Sequence, residues 1–206
     1  RLVGSEMCIR DSTPIVQLRL RKAFDDNEKF KAVKYDEDLL NELFECDSRG
    51  RLYVYDDSVA GHSVFLHDTD GIGSDKVLCV KNPGGHETFL WHIDGVLFAK
   101  DSKCDCALLT TANVHFIEFK SNAANKTPQA IKDNYEKASR QLQLTFEEVR
   151  DRCRRVGVEI TDVVCVDACA VFNRSVPRNN ALKKNLSVKF LDATGIKLHF
   201  SDEMTV

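Results

Sequence analysis

Cys104-Asp105-Cys106-Ala107-Leu108-Leu109, followed by Thr110-Thr111-Ala112-Asn113 and then Val114-His115-Phe116-Ile117-Glu118-Phe119-Lys120, is the stretch whose reading decides the fold. Two apolar runs flank a short polar connection, which is the pattern of a β-hairpin. Alternate residues of a strand share a face, so Phe116, Glu118 and Lys120 point one way while His115, Ile117 and Phe119 point the other. Asp105 interrupts the apolar run of the first strand. It lies about as far from the turn as Glu118 does, so hairpin pairing brings the two carboxylates near each other.

Toward the C-terminus, the chain next offers its most regular element. Thr127 suits an N-cap and Pro128 the first helical position. Ile131, Tyr135, Ala138, Leu142, Phe146, Val149, Cys153 and Val156 then recur at intervals of three and four, and Gly157 is placed to end the helix. Val163 to Phe172 is nearly continuous apolar sequence and reads as a central strand covered on both faces. Ala181 to Ala193 reads as a helix with Leu182, Leu186, Phe190 and Ala193 on one face and Gly195 as its stop. Ile196 to Phe200 reads as a last strand.

Toward the N-terminus, Thr88 to Phe98 reads as a strand or strand pair. Val77 to Val80 is a strand closed by Asn82-Pro83-Gly84-Gly85. Asp68 to Asp75 is a polar loop that lacks the ligand series of a calcium loop. Arg51 to Tyr55 is strand-like, and Asp36 to Glu45 reads as a short helix with Leu39, Leu40, Leu43 and Phe44 on one face. Residues 14–35 carry no clear period. Strands, hairpin, long helix, buried strand, helix and strand in that order imply an α/β protein, with a mixed central sheet flanked by helices, formed as a single domain by residues 13–206.

Bulk properties narrow the function classes. The net charge of −3 argues against coating nucleic acid by bulk charge and leaves a local basic groove open. No apolar run is long enough to span a bilayer and no signal peptide is visible, so the expectation is a cytoplasmic protein with no membrane partner. The eight cysteines lack C-x-x-C pairs and sit largely in apolar runs, which suggests free, buried thiols in a reducing compartment.

Two carboxylates and a lysine on adjoining strands beside a buried helix are costly unless solvated or used. In the plain reading, Glu118 and Lys120 form a solvated strand face with a cross-strand ion pair. In the sharper one, Asp105, Glu118 and a carbonyl hold Mg²⁺, which takes oxygen ligands and keeps several waters. Asp94 reads as a turn residue before Gly95, with the alternative that it is the first acid in place of Asp105 or a group that supports the ligands. His86 reads as a loop residue. Arg150, Arg152, Arg154 and Arg155 read as a solvated helix end. Arg174, Arg178, Lys183, Lys184 and Lys189 form the best local basic patch for phosphates.

Asp105, then Glu118-Phe119-Lys120, then a long helix and a buried strand resembles the PD-(D/E)xK nuclease superfamily over residues 86–172. The resemblance implies a restriction-endonuclease-like core. Asp105 and Glu118 would be metal-binding acids, the Phe119 carbonyl a third ligand and Lys120 the group that orients water and stabilises the transition state. Gln141 matches a glutamine carried by some branches. Position 145 is Thr where those branches carry tyrosine, so that branch is not assigned; position 104 is Cys rather than Pro, a departure the superfamily tolerates. The implied activity is Mg²⁺- or Mn²⁺-dependent hydrolysis of DNA in prokaryotic or phage defence, repair or mobile-element biology, with a homodimer left open. The alternative is a non-catalytic, immunity-like interaction protein on the same fold. Residues 1–12 resemble a translated sequencing adapter and are expected to add nothing to the fold.

Overall fold

A computed structural model describes residues 17–32, 40–66, 77–94, 103–120, 127–172 and 179–206. Its strands are β1 (Phe44–Asp47), β2 (Arg51–Asp57), β3 (His62–Leu66), β4 (Val77–Lys81), β5 (Thr88–His92), β6 (Cys106–Leu109), β7 (Asn113–Lys120), β8 (Cys165–Phe172), β9 (Lys197–Phe200) and β10 (Glu203–Thr205). Its helices are α1 (Leu20–Ala23), α2 (Glu28–Ala32), α3 (Leu40–Leu43), α4 (Pro128–Arg155), α5 (Ile160–Val163) and α6 (Asn180–Thr194). The chain is therefore α/β.

The hairpin pairs Leu109 with Val114 and Cys106 with Ile117. Its turn is held by the Thr110 hydroxyl, which accepts from the Asn113 amide at 3.0 Å. From this centre a six-stranded sheet extends in the order β1-β5-β6-β7-β8-β9. β1 through β7 pair antiparallel, while β7, β8 and β9 run parallel. Parallel neighbours need a long crossover, and α4 and α6 provide the two. A second sheet has the order β10-β4-β2-β3.

Two apolar clusters show how the layers stack. Phe116, Ala168 and Ala170 of the large sheet pack with Tyr135, Leu142, Phe146 and Val149 of α4. On the reverse face, Ile117, Phe119, Cys106 and Val171 pack with Leu52, Val54, Leu78 and Val80 of the small sheet. The large sheet is thus the middle layer, between helices and a second sheet. This explains why β5 and β6 are buried along their full length and why β8 reads as continuous apolar sequence.

The α4 stripe is buried as its spacing predicts, with Leu142 fully enclosed. Thr127 caps it by accepting from the Ala130 amide at 3.3 Å, and Gly157, at φ +79°, ends it in a left-handed turn. α6 is capped by Asn179 and stopped by Gly195. Leu186 and Phe190 are buried, but Ala193 is exposed and Thr194 takes the inward place, its hydroxyl donating to the Phe190 carbonyl at 2.6 Å.

Other expectations are corrected. The helix expected over 36–45 is helical only over α3 among the described residues. Phe44 and Glu45 belong to β1, where Phe44 pairs with Trp91 and its ring stacks on the indole at 5.9 Å. Cross-strand pairing and aromatic burial outweigh the local helical period here. Val163 lies in α5 rather than at the start of β8, and Cys165 is exposed, not buried. β3 and β10 were not foreseen. Residues 17–32, given no assignment from sequence, insert Leu18, Leu20, Phe24 and Phe30 into the core. The polar loop at 68–75 and the adapter-like segment lie outside the described residues.

Candidate functional site

Asp105 stands just ahead of β6, one step beyond the Cys106–Ile117 pair and therefore across from Glu118. Its carbonyl accepts from the amides of Ile93 and Asp94, both at 3.2 Å, which fixes the end of β5 beside it. Its carboxylate accepts from the Phe119 amide at 2.5 Å. Glu118 and Lys120 project toward α4, as strand alternation requires.

Glu118 is 1% exposed. One of its oxygens takes the Lys120 ammonium, and Oε2 is buried with no hydrogen-bond partner. Lys120 also donates to Gln141 Oε1 at 2.9 Å. Gln141 in turn donates to the Lys103 carbonyl at 2.9 Å. One turn further along α4, the Thr145 hydroxyl accepts from the Cys104 amide at 2.8 Å. The helix thereby clamps the segment that delivers Asp105, and couples it to Lys120.

Negative charge accumulates at this end of the sheet. Burial pushes Asp105 up to about 7, with Asp56 and Asp94 adding to the rise and the Phe119 amide and Lys120 opposing it. Glu118 is driven well above the ordinary carboxylate range by burial and by Asp105, against the pull of Lys120. Asp56, at the end of β2, is raised by burial and by Asp94. Removing such carboxylates from water disfavours their charged forms, and each charge deepens the others' cost. The pair of acids behaves as a coupled unit that retains a proton more readily than either acid alone in water.

The structure therefore gathers Asp105, the Phe119 backbone, Glu118, Lys120 and Gln141, with Asp94 exposed at the rim and near enough to act on both acids. It adds Asp56, which sequence reasoning missed because β2 belongs to the other sheet and no spacing links the two. Among the described residues, no three of these acids bring ligand oxygens within 4.8 Å of one another. Arg174 and Arg178 lie outside the described residues. Lys184 and Lys189 are exposed on α6, and the Lys183 ammonium lies 5.6 Å from the Tyr135 ring centroid. Tyr135 stacks on Phe172, the β8 residue paired with Lys120, so the basic start of α6 lies at the same end of the sheet as the acids.

Two further polar clusters escaped the sequence reading. Glu45, His62 and His92, from three different strands, each offer a ligand atom within 4.8 Å of the others. Burial, with His62 beside it, pushes His92 down to about 4. On the face of β7 opposite Glu118, His115 Nδ1 lies 2.5 Å from Asp167 and His199 lies 3.7 Å from the same carboxylate, beside a cavity of about 260 Å³. The partners of each cluster are remote in the chain, so no spacing in the sequence brings them together.

Comparison with protein-family models, with curated proteins and with solved structures finds no match.

Proposed function

We propose that the Asp105–Glu118–Lys120 site carries out metal-dependent hydrolysis of phosphodiester bonds in DNA, as a nuclease of the PD-(D/E)xK type. The observation that carries the reading is the buried Glu118 Oε2, left without a partner next to a second carboxylate whose proton affinity is raised. An acidic pair of this kind is stabilised by a proton or by a cation. Its all-oxygen donors suit Mg²⁺ or Mn²⁺, for which two carboxylates and waters are enough. A bound Mg²⁺ would supply Lewis acidity toward the phosphate and a more acidic water.

The chain's own residues supply the rest. Asp105 and Glu118 would hold the cation, with the Phe119 carbonyl as third donor. The Lys120 ammonium is fixed between Glu118 and Gln141, where it can stabilise charge developing on a phosphate oxygen. Gln141 sets the position of that ammonium. The start of α6, with Lys183 and Lys184 and joined in sequence to Arg174 and Arg178, offers positive charge at the same sheet end for the DNA backbone. A role in prokaryotic or phage defence, repair or mobile-element biology, in the cytoplasm, belongs to the same proposal. The membrane is not part of it: no helix among the described residues is long and apolar enough to cross one.

A specific observation favours a second reading. Glu118 is neutralised by Lys120 inside the protein, and the Lys120 side chain is itself only 13% exposed. An interaction protein of the immunity type that retains the fold would keep such a closed pair as structure. Chelator-treated protein, incubated with plasmid and single-stranded DNA with and without Mg²⁺ or Mn²⁺, separates the two. Cation-dependent cleavage that disappears in Glu118→Gln supports the nuclease. Cleavage unaffected by that substitution, or none with either cation, supports the interaction protein.

A further inference from the structure

We infer that Glu45, His62 and His92 form a second metal site, one that takes a borderline transition-metal ion of the Zn²⁺ class and ties the two sheets together. The site is independent of the acidic one: its donors are two imidazoles and a carboxylate rather than oxygen alone. Mixed nitrogen and oxygen ligands select Zn²⁺, Co²⁺ and similar ions over Mg²⁺.

The geometry comes from three strands. Glu45 lies on β1 and His92 on β5, which are paired in the large sheet, and His62 opens β3 of the small sheet. One ligand atom from each lies within 4.8 Å of the other two. His92 Nε2 is 3.5 Å from Glu45 Oε1. Ligands about 2.0–2.1 Å from a tetrahedral Zn²⁺ lie roughly 3.3 Å apart, so this pair already has nearly the spacing an ion requires. The remaining contraction falls on His62, whose ring is half-buried and lies 4.5 Å from that of His92, centroid to centroid.

Two features show that the site is built rather than accidental. The second oxygen of Glu45 accepts from the Phe65 amide at 3.1 Å, which aims the first toward His92. Support of this kind behind a ligand fixes its orientation. The His92 side chain is 2% exposed, so packing holds its ring in place with Nε2 toward Glu45. Three protein ligands leave a fourth tetrahedral position, on the side where Glu45 and His62 are partly exposed, for water.

Cobalt tests this directly. The full chain is stripped with a chelator, kept reduced, and titrated with Co²⁺ in excess Mg²⁺, with visible absorption as the readout. The expected result is one Co²⁺ per chain with the strong visible bands of a four-coordinate ion, displaced by one equivalent of Zn²⁺. His62→Ala and Glu45→Gln should weaken Co²⁺ binding by about a hundredfold or more. Asp105→Asn, at the acidic site, should leave it unchanged, whether or not the protein cleaves DNA. Zn²⁺ should raise the melting temperature of the wild type and not that of His62→Ala, provided both start from the same circular dichroism spectrum. The inference is overturned if the spectrum shows thiolate charge-transfer bands, or a weak six-coordinate pattern. It is overturned equally if binding survives both substitutions, or is absent from the wild type.

Discussion

Asp105 is held by one hydrogen bond from the Phe119 amide and feels the carboxylates of Asp56 and Asp94, while it acts in turn on Glu118. Its proton affinity is higher in the folded protein than in the unfolded chain, and this fixes a sign. The contribution is fully present below the ordinary Asp value near 4 and is lost as pH rises through about 7. Denaturant midpoints of metal-free protein should therefore fall between these two pH values. Asp105→Asn, whose amide oxygen still accepts from Phe119, should flatten that part of the profile, and an unchanged profile would show that Asp105 keeps an ordinary affinity. At the same scale, on the proposed nuclease reading, Lys120→Ala should preserve Mg²⁺ binding, read by calorimetry, while cutting cleavage by roughly 10²–10³-fold, the usual cost of one charge-stabilising donor. Loss of metal binding in that variant would mean that Lys120 builds the site rather than acting in it. Asp105, Glu118 and Lys120 were legible as candidates because alternation and hairpin register are local rules, and Gln141 was reached only through the resemblance to the nuclease superfamily. Asp56, Glu45 and His62 were not, because which sheet lies over which is decided by packing across the whole chain and leaves no spacing in the sequence.

Among the elements, α4 does most to position the site. Gln141 and Thr145 reach the segment before β6 from one face of the helix, and Leu142, fully buried between them, anchors the same turn in the core. Leu142→Ala should cost about 2–5 kcal/mol in equilibrium unfolding. A cost under about 1 kcal/mol would place that turn outside the core. The helix was readable in full because an amphipathic period, a cap and a terminating glycine all agree on it. β1 was misread because Phe44 follows a helical period in sequence but gains more by pairing with β5. β3 and β10 are edge strands of only five and three residues, too short to carry a clear period. α1 is anchored differently: the Arg152 guanidinium lies 4.8 Å from the Phe24 ring centroid and pairs with Asp26, a tie between elements far apart in the chain.

For the molecule as a whole, the acidic end of the sheet predicts a coupling between ligand and stability. Mg²⁺ at a hundred times its dissociation constant should stabilise the wild type by about 2.7 kcal/mol. Glu118→Gln should lose most of that gain, and a shift of equal size in both proteins would place the ion elsewhere. The order of the small sheet has another consequence. β10 is made after every other described strand, yet it lies parallel beside β4, more than a hundred residues earlier, with Met204 packed on the second apolar cluster. A ribosome adds about 5–20 residues per second, and chain leaving it folds as its partners emerge. β2, β3 and β4 must therefore wait with one edge open until residues 203–205 clear the exit tunnel, and a nascent chain stalled before that point would present an unpaired strand to its neighbours.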